Sequence, residues 1–404
     1  MENSRRNFLT SISMLAAYSA FPISSFNFGL TKKLKIALVG TGIRGSSFWG
    51  KRLVDEYSDI LEFVGLCDIN PGRLAFAKEY IGTNCSTFID FDEMLKKTKP
   101  DLIIVTTVDA THHQFIIKGL NSGFDVLTEK PLTTDEIKAQ DIINAERKSG
   151  KKLIVGFNYR WSPYSTKIKE LLANNTIGKI TSVDFHWYLN TYHGASYFRR
   201  WHGQKNKGGS LWVHKATHHF DLLNWWLDSD PKEVFAIGDL EFYGKNSSFR
   251  GENCRTCTHK NNCDFYFDIT KDKHLMDLYV ANEEYDGYIR DNCLFKAEMH
   301  AKEMEQNALE EANSESIIVH KLWNDFDKVL IPTEKGGHGG GDKRLHDKIF
   351  ITPNEKDPYE RAAGSRDGVM SAIIGIAARK SIESDSPIKI KDLTDIEPSA
   401  NRGK

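Results

Sequence analysis

The residues best suited to chemistry fall into four groups. Gly40, Gly42 and Gly45 have the spacing of a Gly-x-Gly-x-x-Gly turn, with Ile43 and Arg44 inside it. Such glycines let a backbone bend tightly and approach a diphosphate, whose charge then meets the unpaired amides and positive end of the next helix. Asp68 follows where a carboxylate can accept hydrogen bonds from an adenosine ribose and repel a 2'-phosphate, which favours NAD over NADP. Arg44 and Arg73 soften that preference, because a guanidinium can bind phosphate. Glu129, Lys130 and Pro131 form the second group, and the Lys130 ammonium can stabilise a developing alkoxide. His214 and His218, four apart, form the third. They are expected on one helical face, titrating near neutrality, so that either can take a proton from a hydroxyl or, paired, bind a metal. Cys254, Cys257, Cys263 and Cys293 form the fourth.

These groups need a scaffold, and the hydrophobic pattern supplies one. Apolar runs at Leu34 to Val39, Leu61 to Cys67, Leu102 to Thr106, Phe124 to Leu127 and Leu153 to Phe157 read as buried strands. Helical stretches follow the glycine turn and span Gly72 to Tyr80, His113 to Ser122 and Thr134 to Ser149. That alternation predicts an α/β fold whose N-terminal part, residues 31–155, is a doubly wound parallel sheet of the Rossmann type. Residues 156–395 are expected to form an α+β domain with a mainly antiparallel open sheet. Its helices are expected at Pro163 to Ala173 and Arg366 to Ser384, and its strands at Ile180 to Leu189, Glu233 to Leu240, Phe295 to Ala301, Ser316 to Val319 and Lys328 to Ile331. The cysteines fall in an irregular segment from about Ser247 to Asn292, and Gly336 to Gly341 is a glycine-rich loop.

The chain has 404 residues and a formal charge of -1, with no basic excess to attract nucleic acid. Residues 1–30 read as a twin-arginine export signal, with Arg5 and Arg6 ahead of an apolar stretch from Leu9 to Phe26. The expected location is the periplasm, with no membrane-spanning segment in the mature protein. A compartment without free nucleotide then calls for a cofactor held tightly by the protein. The four cysteines suit a structural zinc site. Two disulfides are the alternative, which an oxidising destination favours, whereas folding before export favours zinc. Cys67 and Cys85 read as buried small hydrophobes.

The glycine turn, Glu129-Lys130-Pro131, His112 in Asp-Ala-Thr-His and Gly-Phe-Asn-Tyr-Arg at 156 to 160 together resemble the Gfo/Idh/MocA oxidoreductases, over nearly all of the chain after the leader. The resemblance implies that His218 is the catalytic histidine. His214 stands where the family has an aspartate, and Ala216 where it has a glycine. The reading assigns His218 as base, Lys130 as electrostatic partner and His214 as orienting or substrate-binding group. Thr106, His112, Glu129 and Lys130 join the glycine turn and Asp68 around the cofactor. A sugar or glycoside is the expected substrate, because aromatic residues concentrate between Trp161 and Trp226. Tyr159, Arg160, Tyr192 and Trp201 are expected to face it, and Lys215 to meet a carboxylate. Homo-oligomers are implied by the resemblance alone. The leading activity is oxidation of a secondary hydroxyl; an NAD-dependent glycosidase or lyase working through a transient ketone, and a non-catalytic sugar-binding protein, are the alternatives.

Overall fold

The first strand, β1 (Leu34–Val39), is apolar throughout and ends on the glycine turn. The helix after it, α1, runs through Arg44–Lys51 with π-type geometry and continues as Arg52–Tyr57. Strand β2 (Leu61–Cys67) and helix α2 (Pro71–Ile81) follow, the latter capped by Asn70, whose side chain accepts from the Arg73 amide. Then come β3 (Ser86–Phe88), α3 (Phe91–Thr98), β4 (Leu102–Val105), α4 (His112–Asn121), β5 (Asp125–Thr128), α5 (Glu136–Ser149) and β6 (Leu153–Val155). The hydrophobic pattern does not announce β3 and α3. β3 is a three-residue strand with a single buried side chain, too short to show a period.

This computed structural model describes residues 32–240, 243–296, 316–320, 325–332 and 334–400. The leader at 1–30 and most of the strand expected at Phe295 to Ala301 lie outside them. Leu34–Lys404 packs as one compact unit.

With the two-residue strand β10 (Ala363–Gly364) at one edge, the main sheet has the order β10-β6-β5-β4-β1-β2-β3. This edge strand pairs antiparallel with β6, while the other neighbours are parallel. The long helix that follows it, α12 (Ser365–Ser384), is buried through most of its length. A residue pair from the far end of the chain thus completes the Rossmann sheet. β4 and β1 lie side by side in the interior of the sheet, and the order reverses between them, which opens a crevice at their carboxyl ends.

The C-terminal half carries α6 (Pro163–Ala173), α7 (Thr191–Arg199), α8 (Leu211–His214), α9 (Thr217–Leu227), α10 (Lys273–Leu278) and α11 (Gly341–Phe350). Its described strands form two small antiparallel pairs, β7 (Glu233–Val234) with β11 (Ile388–Lys389), and β8 (Ser316–Val319) with β9 (Asp327–Leu330). Ile180 to Leu189 alternates in sequence, yet it makes no strand pair among the described residues, and Val183, Trp187 and Tyr188 are exposed. Alternation specifies two faces; a strand also needs a partner edge.

Candidate active site

Backbone sterics fix the glycine turn. Gly40 has φ +92°, and a Cβ there would lie 2.6 Å from the Thr106 backbone; at Gly45 it would lie 2.0 Å from the Gly40 carbonyl oxygen. Thr106 closes the turn from β4 by donating its hydroxyl to the carbonyls of Val39 and Gly40. Asp68, at the end of β2, accepts the Thr41 amide at 2.7 Å and the Thr41 hydroxyl at 3.0 Å, so the carboxylate and the turn form one unit. Both nearby arginines already hold carboxylates. Arg44 donates to Glu129 at 2.6 Å, and Arg73 lies between Asp68 and Asp286. Burial pushes the Glu129 carboxyl up, but Arg44, Trp49 and Lys130 outweigh it and hold the pKa below the ordinary value. Gly40 and Gly45, which tolerate no side chain, the helix start and the carboxylate at the end of β2 fit a dinucleotide.

His112 is more restricted than its sequence position implies. Its ring bonds the carbonyls of Pro131 at 2.9 Å and Thr107 at 3.0 Å, which ties the loop after β4 to the loop after β5. Those two loops carry Asp109 and Lys130.

The histidine segment departs from the single helix face expected of it. α8 ends at His214 and α9 starts at Thr217, with Lys215 and Ala216 between. The His218 amide bonds the Lys215 carbonyl rather than that of His214. The freed His214 carbonyl accepts the Lys130 ammonium at 3.0 Å. The break in the helix therefore places the lysine. His214 Nδ1 is also hydrogen-bonded to Asp109 Oδ2 at 2.5 Å, and both side chains are buried. Burial pushes Asp109 up and His214 well below its ordinary value. Sequence reasoning missed Asp109: it lies 105 positions from His214, and no local pattern links the two.

His218 stacks on Tyr159 with ring centroids 4.1 Å apart, and its Nδ1 is buried with no hydrogen-bond partner among the described residues. Burial, with Lys130 and Lys215 nearby, keeps this imidazole uncharged. Lys215 donates to the Tyr159 hydroxyl at 2.8 Å; burial first, and Lys130 second, lower its pKa to about 7. Trp201 stacks on His202, whose ring lies 4.1 Å from His214. His338, from the glycine-rich loop, sits 4.9 Å from the Tyr159 ring and bonds Asn158 and Asp342. Glycine spacing marked that loop without showing that it carries a ring into the site.

Lys130, His214, His218, Tyr159, Lys215 and Trp201 thus come together. Arg160 and Tyr192 do not join them. Arg160 is 1% exposed, and its guanidinium is held by Asp221 at 2.5 and 2.8 Å and by Asp367 at 2.9 Å, so it is a core ion pair. Tyr192 is 72% exposed on α7.

The cysteines do gather: Cys254, Cys257, Cys263 and Cys293 line one cavity of about 20 Å³ together with Phe249, Phe265 and Phe295. All four are free thiols, and no group of three or more histidine, cysteine or acidic side chains among the described residues is disposed to hold a metal. A structural zinc site finds no support among the described residues. Cys263 and Cys293 pack into an apolar cluster with the Phe249, Phe265 and Phe295 rings, and burial raises the Cys254 and Cys263 pKa values.

A dinucleotide turn beside a lysine and paired histidines, at the carboxyl edge of a parallel sheet, defines a nicotinamide-dependent oxidoreductase. Residues 34–157 match the oxidoreductase family's NAD-binding Rossmann fold, and residues 169–287 match its C-terminal alpha/beta domain. The chain belongs to the Gfo/Idh/MocA oxidoreductase family. It is 34% identical to YteT of Bacillus subtilis (strain 168), over 89% of this chain and 98% of that protein. With the inositol 2-dehydrogenase/D-chiro-inositol 3-dehydrogenase of Lactiplantibacillus plantarum it shares 24% identity, over 50% of this chain and 54% of the relative. In fold it is similar to the WlbA dehydrogenase of Bordetella pertussis, solved with NADH and UDP-GlcNAcA. The TM-score is 0.58 at 17% identity, covering 88% of this chain and 97% of the other. Among the described residues no helix is long and apolar enough to cross a membrane.

Proposed function

We propose that this oxidoreductase uses NAD to oxidise a secondary hydroxyl of a sugar or glycoside, and that it is exported with the cofactor held tightly. The observation that carries the reading is the seating of the Lys130 ammonium on the His214 carbonyl, within electrostatic reach of Asp109 and His218. Burial lowers the Lys130 pKa, while Asp109 and Glu129 oppose that shift and favour the charged form. The ammonium is then available to stabilise the oxyanion that develops as a hydroxyl becomes a carbonyl. His218, kept neutral, accepts the hydroxyl proton. Asp109 acts through His214: it fixes the ring, and the backbone of that residue anchors Lys130. Bound NAD supplies the two-electron acceptor for the C–H bond.

The substrate class draws support from two sides. Tyr159 and Trp201 offer aromatic faces beside polar groups, which suits a pyranose. Two of the proteins named above are an inositol dehydrogenase and a dehydrogenase solved with a nucleotide sugar. Export rests on the twin-arginine leader, and tight retention follows from it.

Denaturing the purified protein and identifying the released nucleotide is the first test; NAD or NADH is expected in near-stoichiometric amount, and its absence overturns tight retention. The protein is then mixed with a panel of sugars and glycosides. Lasting nicotinamide reduction with the glycosidic bond intact supports the dehydrogenase. Bond cleavage without net reduction replaces it with the glycosidase or lyase.

A further inference from the structure

The segment 269–290 packs on the face of the Rossmann half that carries the glycine turn. Tyr279 Oη accepts the Ile43 amide at 2.9 Å, and a Cβ on Gly42 would lie 3.3 Å from the same oxygen. Ile269, Leu275, Leu278 and Tyr279 form one apolar cluster with Ile43 of the turn and Phe76 of α2. Toward Asp68, Asn70 donates to the Asn282 carbonyl at 2.9 Å, and Arg73 bridges Asp68 and Asp286. The segment is itself braced: Arg255 pairs with Glu283 and Asp291, and the Cys254 amide bonds the Asp291 carbonyl at 2.8 Å. It is a built wall, joined to the turn by hydrogen bonds, an ion pair and apolar contact.

Its charges differ from those of the turn. Arg44 and Arg73 are occupied by carboxylates, whereas Arg290 forms no ion pair among the described residues. The Arg290 guanidinium lies 5.7 Å from the Tyr279 ring, and its buried Nε–H has no hydrogen-bond partner among them. A phenol that accepts from the turn amide keeps its own O–H to donate. Next to it stands a cation with an unmet donor. Together they suit a doubly charged diphosphate oxygen cluster, which a guanidinium binds with directional hydrogen bonds.

We propose that residues 269–290 form the outer wall of the dinucleotide site, with Tyr279 and Arg290 holding the cofactor's diphosphate against the glycine turn and slowing its release. The proposal rests on the assignment of NAD to this cleft. It gives the tight retention expected of an exported enzyme a structural cause in one segment.

The full-length protein is loaded with NADH and chased with excess NAD, and loss of protein-bound nicotinamide fluorescence gives the release rate. Arg290→Gln is expected to release NADH about tenfold faster or more, and Tyr279→Phe about threefold faster. Lys97→Gln, on an exposed ion pair of α3, is expected to match the unsubstituted protein. An unchanged release rate in Arg290→Gln overturns the proposal while leaving NAD binding intact, and where that variant does not fold an unchanged rate in Tyr279→Phe does the same. Unaltered NADH release together with weakened binding of sugars that bear a carboxylate assigns Arg290 to the substrate and also overturns it. Failure of the unsubstituted protein to take up NADH overturns the underlying cofactor assignment instead.

Discussion

The two ends of the cleft handle charge in opposite ways. Around the glycine turn each arginine of the Rossmann half meets a carboxylate, Arg44 on Glu129 and Arg73 between Asp68 and Asp286. At the proposed catalytic end Lys130, Lys215 and Arg200 form no ion pair with a carboxylate among the described residues, although Asp109 acts electrostatically on Lys130. The histidines between them are driven to their neutral forms by burial and by those cations. Within the Rossmann half the arginines at one end are settled on carboxylates. The other keeps a positive potential that an oxyanion would satisfy, and the neutral rings beside it are free to take protons.

Removing the cation at the centre of that field should have the largest effect. Lys130→Met keeps the stem and deletes the charge, and turnover is expected to fall about a thousandfold, the upper range for loss of one oxyanion-stabilising group. Bound NAD per protein should stay unchanged, because Lys130 bonds the His214 carbonyl and takes no part in the turn. Nucleotide content and kcat are measured on the same preparation. A variant within tenfold of full activity would remove Lys130 from the chemistry.

Asp109→Asn is the next test, with turnover expected to fall about tenfold to a hundredfold. Its informative readout is pH. Burial lowers the Lys130 pKa and Asp109 raises it, so without the carboxylate the ammonium is lost at lower pH. The alkaline decline in kcat/KM should therefore move toward neutrality in the variant. A profile that only shrinks, with its alkaline limb in place, would make Asp109 a packing residue.

The same contrast governs what could be read from the sequence. The dinucleotide end was legible because its residues act through local backbone. Gly40, Gly42 and Gly45 lie on one turn after an apolar strand, and the next strand delivers Asp68. Lys130 was legible because it follows a strand. The catalytic end is assembled from distant pieces: Asp109 with His214, and His338 with Tyr159. Arg160 shows the converse, since its neighbourhood in sequence pointed to ligand while Asp221 and Asp367, far along the chain, claim it for the core. The helix break at Lys215 and Ala216 was also hidden, because four-residue spacing between histidines reads as a continuous helix until the carbonyl of the first is seen bonded to Lys130.

The smallest effect, and the one that sharpens the contrast most, concerns Lys215. Burial and Lys130 bring its pKa from 10.5 to about 7, so in the folded protein it gains a proton as pH falls through 7. The new charge arrives beside His218 and makes proton acceptance there harder, so kcat/KM is expected to rise with pH through about 7 and then level off. Lys215→Met keeps the buried stem, loses the charge and should erase that inflection, with only a severalfold change in rate at pH 8. Stability carries the same signature with a definite sign. Between about pH 7 and 10.5 the unfolded chain holds a proton on this lysine that the folded protein lacks, so its burial penalty is complete near pH 7 and vanishes toward 10.5. The methionine variant should therefore exceed the lysine protein in thermal midpoint at pH 7, and the gap should close as pH rises toward 10. An inflection near 7 that survives the substitution would place the titrating group elsewhere, and a gap that does not vary with pH would mean that Lys215 is already paired.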